Sequence, residues 1–382
     1  MLLDHLINFF TSLKLTVVCL VLGMVLVFIG TLAQVEMGLY QAQAEIFRSF
    51  IIFWGPKGAS WKIPVFPGGY LIGGVLLINL VSAHYRRFGF RRDKAGIIIT
   101  HFGLILLLLG QLATDLLSRE SNLHFRLNEV KNYSEADRAW ELALIDVTDP
   151  QDNRVVAIPD SVLASEPGVS NPALPFSLKV KEYLPNSSLS DTAQPGYQKA
   201  AVTAGFGPQI WYRAEPKATK MDARDVPNAL IEFLSPAGQS LGTWLFSGNL
   251  HPQTFVVSNR TFEASLRLGR YYQPFSLQLL KFEHDVYPGT DIPKNFASRV
   301  RMHNPENAET REVKIRMNEP LRYGGLTFYQ ASFDADDQGS VLQVVRNPGW
   351  ITPYVGCLLV GGGLVVQFLM HLIPFLQRKL RT

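Results

Sequence analysis

Four long stretches without a charged residue decide what this chain can fold into. They cover residues 15–35, 63–81, 95–114 and 347–377. A helix needs roughly 20 mainly apolar residues to cross a bilayer, and each stretch has about that length. In the second, the apolar core narrows to residues 70–83. The first is longer than the apolar core of a secretory signal, so it is read as a retained anchor.

The loop charges orient these spans. Residues 86–94, "RRFGFRRDK", carry five basic residues and one acid, and the chain's last residues include Arg378, Lys379 and Arg381. Cytoplasmic loops collect Lys and Arg. Both segments fall on that side if the N-terminus is cytoplasmic and there are four spans. The expected plan begins with a cytoplasmic N-terminus (1–14), a first span (15–35), an extracytoplasmic loop (36–66) and a second span (67–85). A basic cytoplasmic loop (86–94) and a third span (95–117) follow. Then come a large extracytoplasmic domain (118–349), a fourth span (350–376) and a basic tail (377–382). Within the first loop, residues 40–55 mix Ile, Phe and Trp with Glu45 and Arg48, and read as an interfacial amphipathic helix. The whole chain is +4, while the two cytoplasmic segments carry +4 and +3, which leaves −3 elsewhere. The basic balance is thus a topology signal and a contact with anionic lipid, and no nucleic-acid partner is expected.

The two cysteines, Cys19 and Cys357, both fall in spans. The outer domain therefore has no disulfide and no thiol-exchange chemistry of its own. It does have short β-prone runs separated by turn clusters: "FSLKVKEYL" before "PNSS", "ALIEFL" before "SPAGQS", then "QTFVVS", "EVKIRM" and "LTFYQASF". Such alternation reads as an antiparallel sandwich or open barrel. "PFSLKVKEY" at 175–183 echoes "PFSLQLLKF" at 274–282, either as two similar β units or as chance likeness between two strands. The fold class expected is α+β: four transmembrane helices plus a large β-rich extracytoplasmic domain.

Of eight histidines, three belong to spans: His84, His101 and His371. The expected topology puts all three near the cytoplasmic level. His101 lies deepest, on the order of 9 Å in at about 1.5 Å per residue. Ionisable groups inside a span mark pathways, relays or ligand sites. His84 and His371 are near enough to the interface to reach water instead. On the third span, Gly96, Thr100, Gly103, Leu107, Gly110, Gln111 and Thr114 form one stripe of mostly small and polar residues, suited to close helix packing. His101 lies well over 90° away at about 100° per residue, beside Ile97, Ile105, Leu108 and Leu112. A lone imidazole on a lipid face leaves a polar nitrogen unmatched. A second protein or a prosthetic group is expected to cover it, and imidazole is a common ligand of haem iron.

These segments resemble the ResB (CcsB) family of System II cytochrome c biogenesis. The residues that carry the resemblance are "FFTSLKLTVVCL…FIGTLAQ", "FPGGYLIGGVLLINLVSAHYRR", "ITHFGLILLLLG", "PFSLQLLKFEHDVYPGTDIPKNFASRVRM", "NEPLRYGGLTFYQASF" and "PGWITPYVGCLLVGGGLVVQF". Residues 135–262 match nothing as specific. The resemblance implies an inner-membrane protein that works with a CcsA-type partner to move haem outward and present it to apocytochrome c. It also implies that a span histidine, by position His101, ligates haem b, with His84 and His371 as alternatives. The tryptophan-rich segment of the partner is absent from this sequence, so a non-catalytic subunit of the synthase complex is expected. A thiol-reducing partner belongs to the same pathway. Competing readings are a stand-alone b-type haem carrier, with His84 or His371 as second ligand, and a membrane-anchored ligand sensor. A membrane hydrolase ranks last, since neither GxSxG nor HExxH occurs.

Overall fold

A computed structural model describes residues 2–56, 61–88, 92–149, 151–220, 223–290 and 292–380. The chain divides into two units. One comprises Met1–Ser118, Thr219–Asp222 and Asn347–Thr382; the other comprises Arg119–Ala218 and Ala223–Arg346. In chain order the α-helices are α1 (Leu2–Phe10), α2 (Leu13–Met37), α3 (Leu39–Ala42), α4 (Gly69–Ala83), α5 (Ala95–Leu117), α6 (Asp160–Ser165) and α7 (Thr352–Lys379).

Among the described residues, three helices are long and apolar enough to cross a membrane by length and composition: Leu13–Met37, Arg92–Leu117 and Thr352–Lys379. The second expected span has only 15 α-helical residues in α4, continued by a π-turn of 5 residues, His84–Phe88. Asn79, only 2% exposed, anchors this helix. It accepts a hydrogen bond from Thr16 Oγ1 at 2.6 Å and donates to the Phe10 and Ser12 carbonyls at 2.7 and 3.1 Å. Those carbonyls lie at the break between α1 and α2, where the regular helical ladder is interrupted; that of Ser12 also accepts from the Thr16 N–H at 3.4 Å.

The helix expected over residues 40–55 is corrected. The chain is helical in α3 and through a π-turn, Gln43–Phe47, and then forms a strand, β1 (Ile51–Trp54), paired with β2 (Ile63–Pro67). "IIFW" is a run of β-branched and aromatic side chains, which suits a strand. Parts of the basic loop (89–91) and of the tail (381–382) lie outside the described residues.

The helices α5 and α7 meet along glycines. A Cβ at Gly96 would lie 2.5 Å from the Gln367 backbone N, one at Gly103 2.8 Å from Val360 Cγ2, and one at Gly110 2.3 Å from Thr352 Oγ1. On the facing helix, a Cβ at Gly363 would lie 2.5 Å from the Thr100 backbone N. This is the packing expected of the small-residue stripe, although Gln111 stays exposed.

The β unit contains β3 (Arg119–Arg126), β4 (Val130–Asp146), β5 (Arg154–Pro159), β6 (Gly168–Ser170), β7 (Ser177–Leu184), β8 (Ser187–Ser190), β9 (Gln198–Lys199) and β10 (Trp211–Ala214). It continues with β11 (Asn228–Leu234), β12 (Ser240–Ser247), β13 (Gln253–Val257), β14 (Arg260–Val286), β15 (Pro293–Asn304), β16 (Glu309–Arg316), β17 (Leu321–Tyr323), β18 (Leu326–Phe333) and β19 (Gly339–Arg346). The large sheet runs β16-β15-β14-β4-β3-β19-β18-β17, with β13 on β14 and β5 on β4. A second sheet runs β12-β11-β7-β6.

The 27-residue β14 serves two cores. Its first half contributes Phe262, Ala264 and Leu266 to a sandwich core with Phe176, Ile231, Phe233 and Phe246 of the second sheet region. Its second half contributes Phe275, Leu277 and Leu279 to another core. There Ile315 of β16 meets Leu321 and Phe328 of β17 and β18, so opposite ends of the strand order converge and the sheet curls on itself. The two halves change over at register shifts after Leu268 and after Tyr272. Between the shifts lie Gly269, which weakens a strand, and Pro274, which has no N–H for the ladder. The echoed Pro-Phe segments therefore sit in different sheets, with Phe176 buried in one core and Phe275 in the other.

Asp146, which ends β4, accepts hydrogen bonds from Thr148 Oγ1 at 2.5 Å and Arg260 Nε at 2.8 Å. They hold its carboxyl down at about 2, against about 3.9 in an unfolded chain. A depressed pKa adds stability that is complete above about pH 4 and is lost as pH falls through about 2. Thr148→Val is expected to flatten that loss, read as a smaller drop in melting temperature between about pH 4 and pH 2 than in the wild type. In the helical unit, Gly103→Val is expected to destabilise by about 1–3 kcal/mol. Thermal unfolding in detergent checks this beside Gly361→Val, where a Cβ meets nothing within 4 Å.

Candidate functional site

The glycine seam turns one side of α5 toward α7 and leaves His101 on another side. The imidazole is half-buried there. Part of its cover belongs to the same chain. The ring of His84 packs edge-on against the ring of His101, with centroids 5.3 Å apart and planes at 79°. His84 thus supplies cover for part of the His101 ring from within the chain, beside which a second protein or a prosthetic group is the expected cover for the rest. His84 Nδ1, His84 Nε2 and His101 Nδ1 are all buried.

Local helix geometry brings His84 to this position. It is the C-terminal cap of α4 and the first residue of the π-turn, and its N–H is shared between the Leu80 and Val81 carbonyls. A π-turn widens the helix by a residue and is enriched at functional sites. His371, the third span histidine, is exposed and turned onto its own helix. Its Nδ1 lies 2.9 Å from the Gln367 carbonyl and 3.3 Å from Gln367 Nε2. The structure thus joins two of the three candidate residues and leaves the third apart.

Near the other end of α5 stands a group that the sequence reading did not single out. The Asp115 side chain, 8% exposed, is ion-paired with Arg48 Nε at 2.7 Å and accepts a hydrogen bond from the Tyr70 hydroxyl. The only sequence signal was an acid placed directly after an uncharged run. Its partners come from the residue that follows the π-turn after α3 and from the start of α4, so it ties three segments together. Fourteen residues separate it from His101, about 21 Å along a helix. It is a clamp distant from the imidazole pair.

The donor set is informative. Among the described residues, no group of three or more His, Cys, Asp or Glu is placed to hold a metal ion. Two adjacent imidazoles are too few for a bare cation. They suit an iron that brings its own equatorial ligands, as haem does, and needs only an axial nitrogen.

In the β unit, "NEPLRYGGLTFYQASF" forms the β17–β18 hairpin. Gly324 and Gly325 have φ of 58° and 74°, the left-handed pair that a two-residue hairpin turn requires. Leu321, Leu326 and Phe328 are buried in the second core. This is the turn-and-core-strand role, with no nucleophile–base pair.

A family model described as the ResB-like family matches residues 91–341. The chain is 38% identical over 96 residues to Protein NrfI of Wolinella succinogenes, covering 25% of this chain and 11% of that protein. It is 33% identical over 81 residues to the cytochrome c biogenesis protein CcsB of Trichormus variabilis, covering 21% of this chain and 17% of that protein. It is 31% identical over 97 residues to CcsB of Synechococcus elongatus, covering 24% and 21%. These stretches span about a tenth to a fifth of the relatives' own length. The family match is far broader. It takes in α5 with His101 and nearly all of the β unit, well over half of the sequence, and on that extent the chain belongs to the ResB-like family.

Proposed function

We propose that this chain is a membrane component of cytochrome c biogenesis. In this reading it works with a CcsA-type partner to carry haem across the inner membrane and present it to apocytochrome c. His101 supplies an axial imidazole to the haem iron. The topology is four spans, with α4 and its π-turn as the second, both termini cytoplasmic and the β unit outside. The chain itself performs no covalent step; it binds, orients and scaffolds. The cargo supplies the vinyl groups that are joined to cysteine thiols of the apocytochrome, and a thiol-reducing partner keeps those cysteines available.

The observation that carries the proposal is the His84–His101 ring pair at 5.3 Å. A histidine within an apolar helix is costly unless it is used, and here two from different helices are held together. Aromatic rings with centroids 4.5–7 Å apart are in direct contact. No macrocycle fits between them, so they do not form opposite axial ligands in this arrangement. His101 would hold the iron through one imidazole nitrogen, and a second ligand would come from the partner. His84 acts as a positioning residue that sets the ring orientation of His101. The stand-alone carrier reading needs two opposing imidazoles from this chain, and His371 is turned onto its own helix. The names of the CcsB relatives, which specify cytochrome c biogenesis, support the pathway.

Two outcomes are expected when the chain is purified with its CcsA-type partner. His101→Ala removes or shifts the haem absorption bands at unchanged complex yield, and added imidazole restores them in part. His84→Ala keeps a histidine-ligated spectrum but binds haem about 10–100-fold more weakly, the usual cost of losing a group behind a metal ligand. Absorption spectra and haem titration read both. An unaltered spectrum in His101→Ala would remove His101 from the ligand set.

A further inference from the structure

We infer that the β unit carries a second imidazole site for an iron porphyrin, built on His284. The inference rests on the haem reading above. Four histidines lie in this unit, and three are exposed. His124 Nε2 meets both carboxylate oxygens of Asp334 at 3.0 Å. His303 Nδ1 faces Thr310 Oγ1 at 2.8 Å. His251 is exposed on a turn. His284 differs: its side chain is 15% exposed, and its Nδ1 lies 3.0 Å from Asp337 Oδ1. A carboxylate accepts the Nδ1 proton, so in the neutral ring the lone pair resides on Nε2. That Nε2 is buried, with no hydrogen-bond partner among the described residues.

Phenyl rings surround it. Phe333 lies 4.4 Å from the imidazole centroid and Phe282 6.3 Å. Phe282 and Phe296 pack on Phe333 at 5.2 and 5.1 Å. None of these rings belongs to the second core. In register, Phe282 is opposite Ser298 and Phe333 opposite Ser340. Ser298, Ser340 and Gln330 are joined by hydrogen bonds of 2.7 to 3.0 Å. The aromatic group is therefore set off from the core at the strand ends.

An imidazole fixed by a carboxylate, with its other nitrogen free of hydrogen bonds, is the usual arrangement of a metal-ligating histidine. No cluster of three ligating side chains accompanies it among the described residues, so a hydrated ion is poorly held. A metal in a macrocycle supplies its own equatorial ligands and offers flat apolar faces that match phenyl rings. The rings are half-buried at the end of β14, the start of β15 and the end of β18. For a macrocycle to reach Nε2, one of these rings has to turn aside.

The test titrates the isolated full chain in detergent with ferric haem, followed by absorption and electron paramagnetic resonance. The His101→Ala chain is expected to retain a histidine-ligated signal. Adding His284→Ala weakens that binding at least about tenfold, and adding Asp337→Asn weakens it about 10–100-fold. His303→Ala added instead has no effect. His284→Met, which keeps an iron ligand, restores a ligated signal at a shifted position, and this separates ligation from packing. Metal-free protoporphyrin responds to none of the imidazole variants. The site is overturned if the His101→Ala chain takes up no haem, or takes it up equally with and without His284. Either result leaves the His101 reading standing, because that reading is decided by the spectrum of the complex with the partner.

Discussion

Contact between two helix backbones, α5 against α7, is the constraint on which the helical unit depends. Glycines on both helices remove the side chains that would hold them apart, and Thr100 and Thr352 fill the remaining gaps. In lipid there is little hydrophobic drive to pair helices, so such close packing has to come from shape. Once that side of α5 is committed to α7, the azimuth of every other α5 residue follows. His101 is left facing elsewhere, and the π-turn of α4 supplies the ring that meets it. The position of the imidazole pair is thus a consequence of glycines that touch neither ring.

A parallel economy runs through the β unit. Two long strands, β4 and β14, pass through both the sandwich and the curled sheet. One pairing therefore organises two cores, and the changeover is written locally by Gly269 and Pro274. At the opposite flank of β4, β3 pairs with β19 in continuous register from Arg119↔Arg346 to Arg126↔Gly339. The first and last strands of the unit are neighbours, which suits a domain whose two chain connections lead directly to α5 and α7.

Much of this was legible in the sequence, for identifiable reasons. An uncharged run bounded by Lys94 and Asp115 gave α5 its limits, and small residues at helical spacing gave its packing face. Alternating β-prone runs announced an antiparallel domain. What was hidden is equally specific. "IIFW" is apolar at every position, so periodicity could not separate strand from helix. The sharing of β14 between two cores depends on long-range pairing that no local pattern encodes. The depth of His84 was readable, since rise per residue is fixed, but its direction was not. That direction comes from a π-turn and from the packing of α4, and neither has a sequence signature. The partners of Asp115 were hidden for the same reason.

The seam between α5 and α7 also has a consequence in time. The two helices are separated in the chain by the entire β unit, residues 119–346. During synthesis α5 is complete more than two hundred residues before its mate exists. At roughly 5–20 residues per second, the glycine groove stays unfilled for on the order of ten seconds to a minute. Closing so long a loop costs entropy that grows only slowly with its length, so the delay is kinetic rather than thermodynamic. The helix that completes this contact is made only after the β unit, so closure of the seam becomes a report that the β unit has already been synthesised.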